Sequence, residues 1–466
     1  MKKRTIFKVI LIILLALFLA FWITAFIKVC PSYGSYNVYG IFNPDYEDTI
    51  YDKIFDKVCP SLLKLTPLSF IKEALAAGLL DTDLENLKNS FPNLIKAYEK
   101  VSVFQSWNII NTEVRLFSTV NIGVLDTGID ASDGRHPELE GVDLGKSTIE
   151  SLRDNAVRLR SDLTAGHGTQ VAGIIGANNL SKSQTLPVDS PQMNGVVSGV
   201  SGLPYIMESR GTIFDILKLG RDLETLPQKS IINMSYGNSA CPKIFFIERK
   251  KRFCVKETDF EFLSNFYSET FTKNGDKFFV VGAGNDNIDT KDFTPANIQL
   301  DNTITVGATD LNDNRADFGF LLGASNFGDS VNISAPGIQI YAPSIRGKGN
   351  FPISGTDINN YITDFSGTSA SAPLVTGVAA ILKALEPEYQ KHNPGLVMTP
   401  AKIKEVLMKS ADPIKTDKPL GRGCFTAEKN PSTGYNGCRL NAHRAVVWLL
   451  PPTPVILNTP VVVPAP

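Results

Sequence analysis

From Phe365 to Ala380 the chain passes from a crowded run of Gly, Ser, Thr and Ala straight into a strongly apolar helical stretch. This juxtaposition restricts the chain more than any other part of it. The opening of a helix leaves backbone N–H groups without intrahelical partners, and those donors can hold an oxyanion that forms beside them. Ser369 sits at that opening, so its hydroxyl can serve as a nucleophile. Its neighbours Gly367, Ala370 and Ala372 are small enough for a substrate backbone to approach closely, and Pro373 is expected in the first turn, where no needed donor is lost. Read by itself, the stretch is equally compatible with a Ser/Thr cap on a core helix.

Two earlier stretches break the tie. Val120-Asn-Ile-Gly-Val-Leu125 alternates, is β-rich and runs into Asp126-Thr-Gly128-Ile-Asp130, so a strand delivers a carboxylate at its C-terminal end. In a parallel α/β sheet that end is where ligand sites lie, although a lone Asp after a strand is also an ordinary turn or capping residue. Further on, Ala165-Gly166-His167-Gly168-Thr169-Gln170-Val-Ala-Gly173 is small and apolar at helical spacing. A histidine flanked by glycines at the head of a helix is an odd choice for packing, and imidazole is the side chain that accepts and returns a proton near neutrality.

In this order the three stretches resemble the motifs of the subtilisin-like serine proteases: D-T-G-I around Asp126, H-G-T-x-V-A-G around His167 and G-T-S-x-A-x-P around Ser369. The resemblance implies an α/β fold, a three-layer sandwich whose mostly parallel central sheet is flanked by helices. It assigns catalysis to Asp126, His167 and Ser369, and oxyanion stabilisation to Asn285 at the end of Phe278-Phe-Val-Val-Gly-Ala-Gly284-Asn285. Ser230-Ile-Ile-Asn-Met-Ser-Tyr-Gly237 is similar to the family's I-N-M-S-x-G strand. Ser235, Tyr236 and Gly237, with Gly282, Ala283 and Gly284, are thereby expected to bind substrate. Without the resemblance the first is a buried strand and Gly-Asn only a turn signal.

The family pattern covers about residues 104 to 450, from Phe104-Gln-Ser-Trp through Thr303–Ala308, Ser325-Asn-Phe-Gly and Val331–Gly337 to Leu440-Asn-Ala-His. Two departures stand out. Gln170 occupies a position where the family often has a second histidine, and Gly199-Val-Ser-Gly-Leu-Pro204 replaces a G-V-A-P ending. The remaining histidines receive no chemistry: His136-Pro-Glu-Leu139 resembles a surface segment, His392 lies in a Pro/Gly/Asn loop and His443 on a C-terminal helix.

What the resemblance implies is an endopeptidase acting on protein or peptide substrates through an acyl-enzyme on Ser369. A peptide ligase or transamidase would use the same intermediate with a different acceptor. A silent peptide-binding relative would be expected to have lost a catalytic residue, and none is missing. No cofactor takes part in such chemistry. Structural calcium is common in the family, but the sequence assigns it no ligands.

The flanks place the domain. Behind Lys2-Lys-Arg4 and Lys8 the chain carries no charge from Val9 to Ile27, about the length needed to cross a bilayer core. The basic cluster predicts a retained anchor in residues 1–30, a transmembrane helix with everything after Cys30 on the extracytoplasmic side, or a secreted protein if the segment is cleaved. Six cysteines fall as three local pairs, Cys30 with Cys59, Cys241 with Cys254 and Cys424 with Cys438, a spacing suited to an oxidising compartment. Residues 31–103 show helical patterns and have the size of a propeptide, and they suit a spacer or accessory helical module equally well. An insertion after Asn238 carries the basic run Arg249-Lys-Lys-Arg252, and residues 451–466 form a Pro/Val-rich tail. With a net charge of −1 and no basic stripe interleaved with aromatics, nucleic acid is excluded as a partner.

Overall fold

The Val- and Ile-rich runs become strands, and their order in space sets everything that follows. In the computed structural model the described residues are 93–114, 116–129, 136–139, 166–177, 195–211, 216–240, 254–319, 323–344, 351–352, 359–421 and 435–450. All fall within one unit of the chain. The strands are β1 (Val120–Asp126), β2 (Tyr205–Gly211), β3 (Ile231–Met234), β4 (Asn238–Ala240), β5 (Cys254–Val255), β6 (Phe278–Gly282), β7 (Phe293–Thr294), β8 (Thr303–Thr309), β9 (Ile333–Pro336), β10 (Ile340–Pro343), β11 (Phe351–Pro352), β12 (Asn359–Phe365), β13 (Asp412–Ile414) and β14 (Gly437–Arg439). Eight of them form the central sheet in the order β13-β14-β9-β8-β6-β3-β1-β2. Neighbours pair in parallel from β2 to β14, and β13 closes the edge antiparallel to β14.

β3, β6, β8 and β9 are buried along their whole length, as expected of parallel strands covered on both faces. Alternate residues then part to opposite sides. Ile122, Val124, Ile231, Phe278 and Val280 join one apolar cluster, whereas Leu125, Ile232, Met234, Phe279 and Val281 join another. The first contains the helices His167–Gly176 and Thr368–Ala384, hereafter the His167 and Ser369 helices. The second contains Leu219 and Leu223 of the helix Ile216–Thr225 and Tyr267 and Phe271 of the helix Glu257–Lys273. The result is the expected three-layer α/β arrangement. Every residue of the Ser369 helix is buried, which accounts for its lack of a polar face.

Helices at Asn93–Lys100 and Val103–Glu113 lie on either side of the expected boundary at residue 103, and both pack on the body. Tyr98, Phe104 and Trp107 meet edge to face. Trp107 Nε1 donates to the Val196 carbonyl at 2.7 Å and the Ala442 N–H to the Val101 carbonyl at 2.8 Å. Residues 93–103 are thus tied to the same unit as the strands. Later, Thr399 caps the helix Pro400–Ser410 by accepting from the Lys402 N–H, with Pro400 at the first helical position as its sequence predicts.

Several expectations lie outside the described residues: the apolar run 9–27, residues 31–92, the basic run 249–252 and the tail. Within the described residues no single helix is long and apolar enough to cross a membrane. No free cysteine occurs among them either. His392 ends a short helix, Glu386–His392, instead of lying in a loop. The proline at its second position and the acidic residues at its start favour that helix over the turn suggested by the neighbouring Asn and Gly.

Candidate active site

Because β6, β3 and β1 are adjacent and parallel, their C-terminal ends share one edge of the sheet. The chain leaves β1 for β2 on one side and then returns to β3 on the other, so this edge is also the topological switch point where α/β sheets bind ligands. Asp126 ends β1, Ser235–Gly237 follow β3, and Ala283–Asn285 follow β6. The His167 and Ser369 helices open at the same edge, as the contacts below show.

Asp126 is fully buried, and its Oδ1 lies 2.8 Å from His167 Nδ1 while also accepting from the Thr127 N–H at 2.8 Å. A carboxylate oxygen only accepts, so the proton in the contact sits on Nδ1 and Nε2 is left as the acceptor of the ring. Phe365, just ahead of Ser369, packs its ring edge to face on His167 at 5.4 Å. The imidazole is therefore gripped from two sides.

Ser369 is 7 % exposed at the second position of its helix, and its hydroxyl donates to the Ser235 carbonyl at 3.1 Å. The structure corrects one expectation here: Pro373 lies inside this helix, beyond the first turn. A proline there removes the N–H that would reach back to the Ser369 carbonyl. The Ser235 hydroxyl donates to that carbonyl instead, at 3.3 Å, and is itself an acceptor for Asn233 Nδ2 at 2.9 Å. Asn233 Oδ1 in turn accepts from Thr376 Oγ1 at 2.8 Å. The missing helical bond thus becomes a tether between the serine turn and the end of β3. Ser235→Ala is expected to cost about 1–3 kcal/mol of stability by leaving buried groups unpaired. In a Pro373→Ala background the restored helix N–H takes the same carbonyl, so the cost should shrink. A denaturant-unfolding double-mutant cycle that finds the two effects additive would refute this exchange of partners.

Asn285 is held by its acceptor end. Its Oδ1 accepts from the Thr368 N–H at 2.9 Å and from Thr368 Oγ1 at 3.1 Å, which turns Nδ2 to the open side of the turn beside Gly367. Thr368 Oγ1 also accepts from the Gly284 N–H at 3.1 Å. Behind the turn, buried Asn326 pins three backbone groups. Its N–H donates to the Gly284 carbonyl at 2.8 Å, its Nδ2 to the Ala283 carbonyl at 2.9 Å, and its Oδ1 accepts from the Ile288 N–H at 3.0 Å. Asn326 escaped sequence reasoning as a site-supporting residue because Ser325-Asn-Phe-Gly reads there only as a turn.

His136, Glu138 and Leu139 are another correction, since they are buried and not on the surface. Glu138 accepts from the Tyr361 hydroxyl at 2.7 Å, and the His136 ring meets Tyr361 edge to face. Burial, reinforced by the Glu138 carboxylate, pushes the Tyr361 phenol far above its ordinary range and keeps it a donor. Tyr361 and Phe365 both lie on β12, so this bond anchors the strand that carries the ring on His167. Among the described residues, no group of three or more His, Cys, Asp or Glu is arranged to hold a metal ion.

The sequence profile of the Subtilase family matches residues 118–435. The subtilase-type proteinase RRT12 of Saccharomyces cerevisiae is 34% identical over 288 residues, covering 58% of this chain and 45% of that protein. A cuticle-degrading protease of Metarhizium anisopliae is 29% identical over 270 residues, covering 56% and 53%. The matches thus span about half the length of these curated relatives, at 45% and 53%. Among solved structures, a cold-adapted subtilisin-like serine proteinase aligns with a TM-score of 0.41 at 24% identity, over 69% of this chain and 88% of the other.

Proposed function

The chain belongs to the subtilase family, and from that premise we propose that it is a serine endopeptidase whose catalytic residues are Asp126, His167 and Ser369. In this reading the Ser369 hydroxyl, which donates to the Ser235 carbonyl in the resting structure, turns its proton to Nε2. His167 takes its proton as Oγ attacks the peptide carbonyl, and passes it to the amine as the C–N bond breaks. Water then hydrolyses the acyl ester by the reverse relay. Asp126 holds the imidazole in the tautomer that accepts at Nε2. Asn285 Nδ2 and the Ser369 N–H at the head of its helix receive the oxyanion. Ser235–Gly237 and Gly282–Gly284 bind the substrate on either side. The observation that carries this reading is the 2.8 Å contact between a fully buried carboxylate and His167 Nδ1 at the switch-point edge of the sheet.

The test is hydrolysis of unstructured peptides by the full chain across pH. If neutral His167 is the base, kcat/KM should fall as pH drops through roughly 6 to 7.5, the ordinary range of an imidazole. Greatest activity near pH 4 would sink the assignment.

The flanks extend the proposal. We place the unit on the extracytoplasmic side of a membrane, anchored through residues 9–27, with Cys241–Cys254 and Cys424–Cys438 as disulfides. The charge-free run behind a basic cluster supports the first, and the lack of free thiols among the described residues supports the second.

A further inference from the structure

On the endopeptidase reading, the segments that follow β3 and β6 wall the slot that takes a substrate side chain beside Ser369, and one side chain lies against both of them. A methyl group added to Gly237 would come within 2.4 Å of Phe293 Cε1, and one added to Gly284 within 2.7 Å of Phe293 Cζ and 2.8 Å of its Cε1. The same edge of one ring therefore abuts both walls. Its position is fixed by backbone pairing: β7 runs antiparallel to β4, with Ser239 opposite Phe293, and β4 continues directly from Gly237. The ring is 6 % exposed and packs in the apolar cluster with Met234 and Phe279, so it has little room to swing aside. Both walls need glycine to admit it, and Gly284 also has a φ of +96°, which disfavours any other residue.

We infer that Phe293 forms the floor of this slot and restricts the residue whose carbonyl is attacked to a short side chain, such as Gly, Ala or Ser. This rests on the endopeptidase reading of the site. Both walls stand beside the serine turn, because Ser235 bonds the Ser369 carbonyl and Gly284 bonds its neighbour Thr368. A side chain projecting from a substrate carbonyl at Ser369 would enter between them and end on the ring. Leu, Phe or Tyr at that position would overlap atoms already in place.

The test compares peptides that differ only at that residue, Ala against Phe, with the full chain and with Phe293→Ala and Phe293→Leu. The unchanged chain should favour Ala by at least about tenfold in kcat/KM, and Phe293→Ala should swing the ratio towards Phe by roughly 10–100-fold, the scale of pocket discrimination by apolar volume. Phe293→Leu, which disturbs the packing less, should fall between them. Labelling of Ser369 by a small sulfonyl fluoride reports that each variant is folded, and its rate should stay within a few-fold. An active unchanged chain that cuts after Phe as fast as after Ala, or labelled variants with an unaltered ratio, overturns the inference and leaves the endopeptidase reading standing. Absence of both cleavage and labelling in the unchanged chain overturns both.

Discussion

Replacing Ser369 with alanine is expected to lower kcat for peptide hydrolysis by roughly 10⁶ and to abolish labelling by serine-directed sulfonyl fluorides, with the fold intact. The magnitude is that of another member of this family, in which nucleophile and base act as a unit, and some rate above water should survive through the oxyanion donors. The fold should persist because the substitution removes one 3.1 Å hydrogen bond and leaves the Ser369 carbonyl tied to Ser235. Circular dichroism and thermal unfolding of the variant check this. The neighbouring hydroxyls are committed elsewhere: Ser371 donates to the Ala335 carbonyl at 2.9 Å, and Ser366 accepts from the Gln339 N–H at 2.8 Å. Mass-spectrometric mapping that finds reagent on either of them in the unchanged chain would transfer the nucleophile's role.

Asn285→Ala should reduce kcat by about 10²–10³ with little change in KM, a magnitude again taken from within this family. Negative charge reaches the carbonyl oxygen only as the tetrahedral species forms, so a donor aimed there stabilises the transition state more than the bound substrate. The geometry refines the test, because alanine also strips Thr368 of its acceptor. Asn285→Asp keeps that acceptor and removes the donor, so it should be slow without comparable loss of thermal stability. Were kcat to hold while KM rose, Asn285 would be a substrate-binding or turn residue and the oxyanion donor would lie elsewhere.

The strands, their layers and the apolar helix that opens at Ser369 were legible because each rests on local pattern. Val120–Leu125 alternates, Phe278–Val281 is continuously apolar, and a helix with no polar face has only the interior to occupy. Asp126 was singled out by the motif resemblance, since a carboxylate after a strand is also an ordinary turn residue, and His167 by its glycine neighbours; the fold brings the two within 2.8 Å. The supporting residues were not, because their roles arise from long-range pairing. Nothing near Asn326 announces that it will meet Ala283 and Gly284, and nothing near Glu138 announces Tyr361. Pro373 was misread for a related reason. Its cost to the helix is local, whereas its compensation comes from Ser235, far away in the chain. Phe293 gave no signal either, since an aromatic before Thr-Pro is ordinary until two glycines are found against its ring.

The order in which the sheet's strands occur along the chain also orders events in time. Asp126 and His167 belong to the first half of the chain and meet directly, whereas the turn bearing Ser369 follows β12. At a synthesis rate of about 5–20 residues per second, the roughly two hundred residues between His167 and Ser369 take some 10–40 s to emerge from a ribosome. On the proposed reading, the residues of the proton relay are made that long before the nucleophile they would serve. Even after Ser369 appears, the edge formed by β13 and β14 awaits residues 437–439. On the proposed catalytic reading, peptide hydrolysis therefore waits until almost the whole domain has been made.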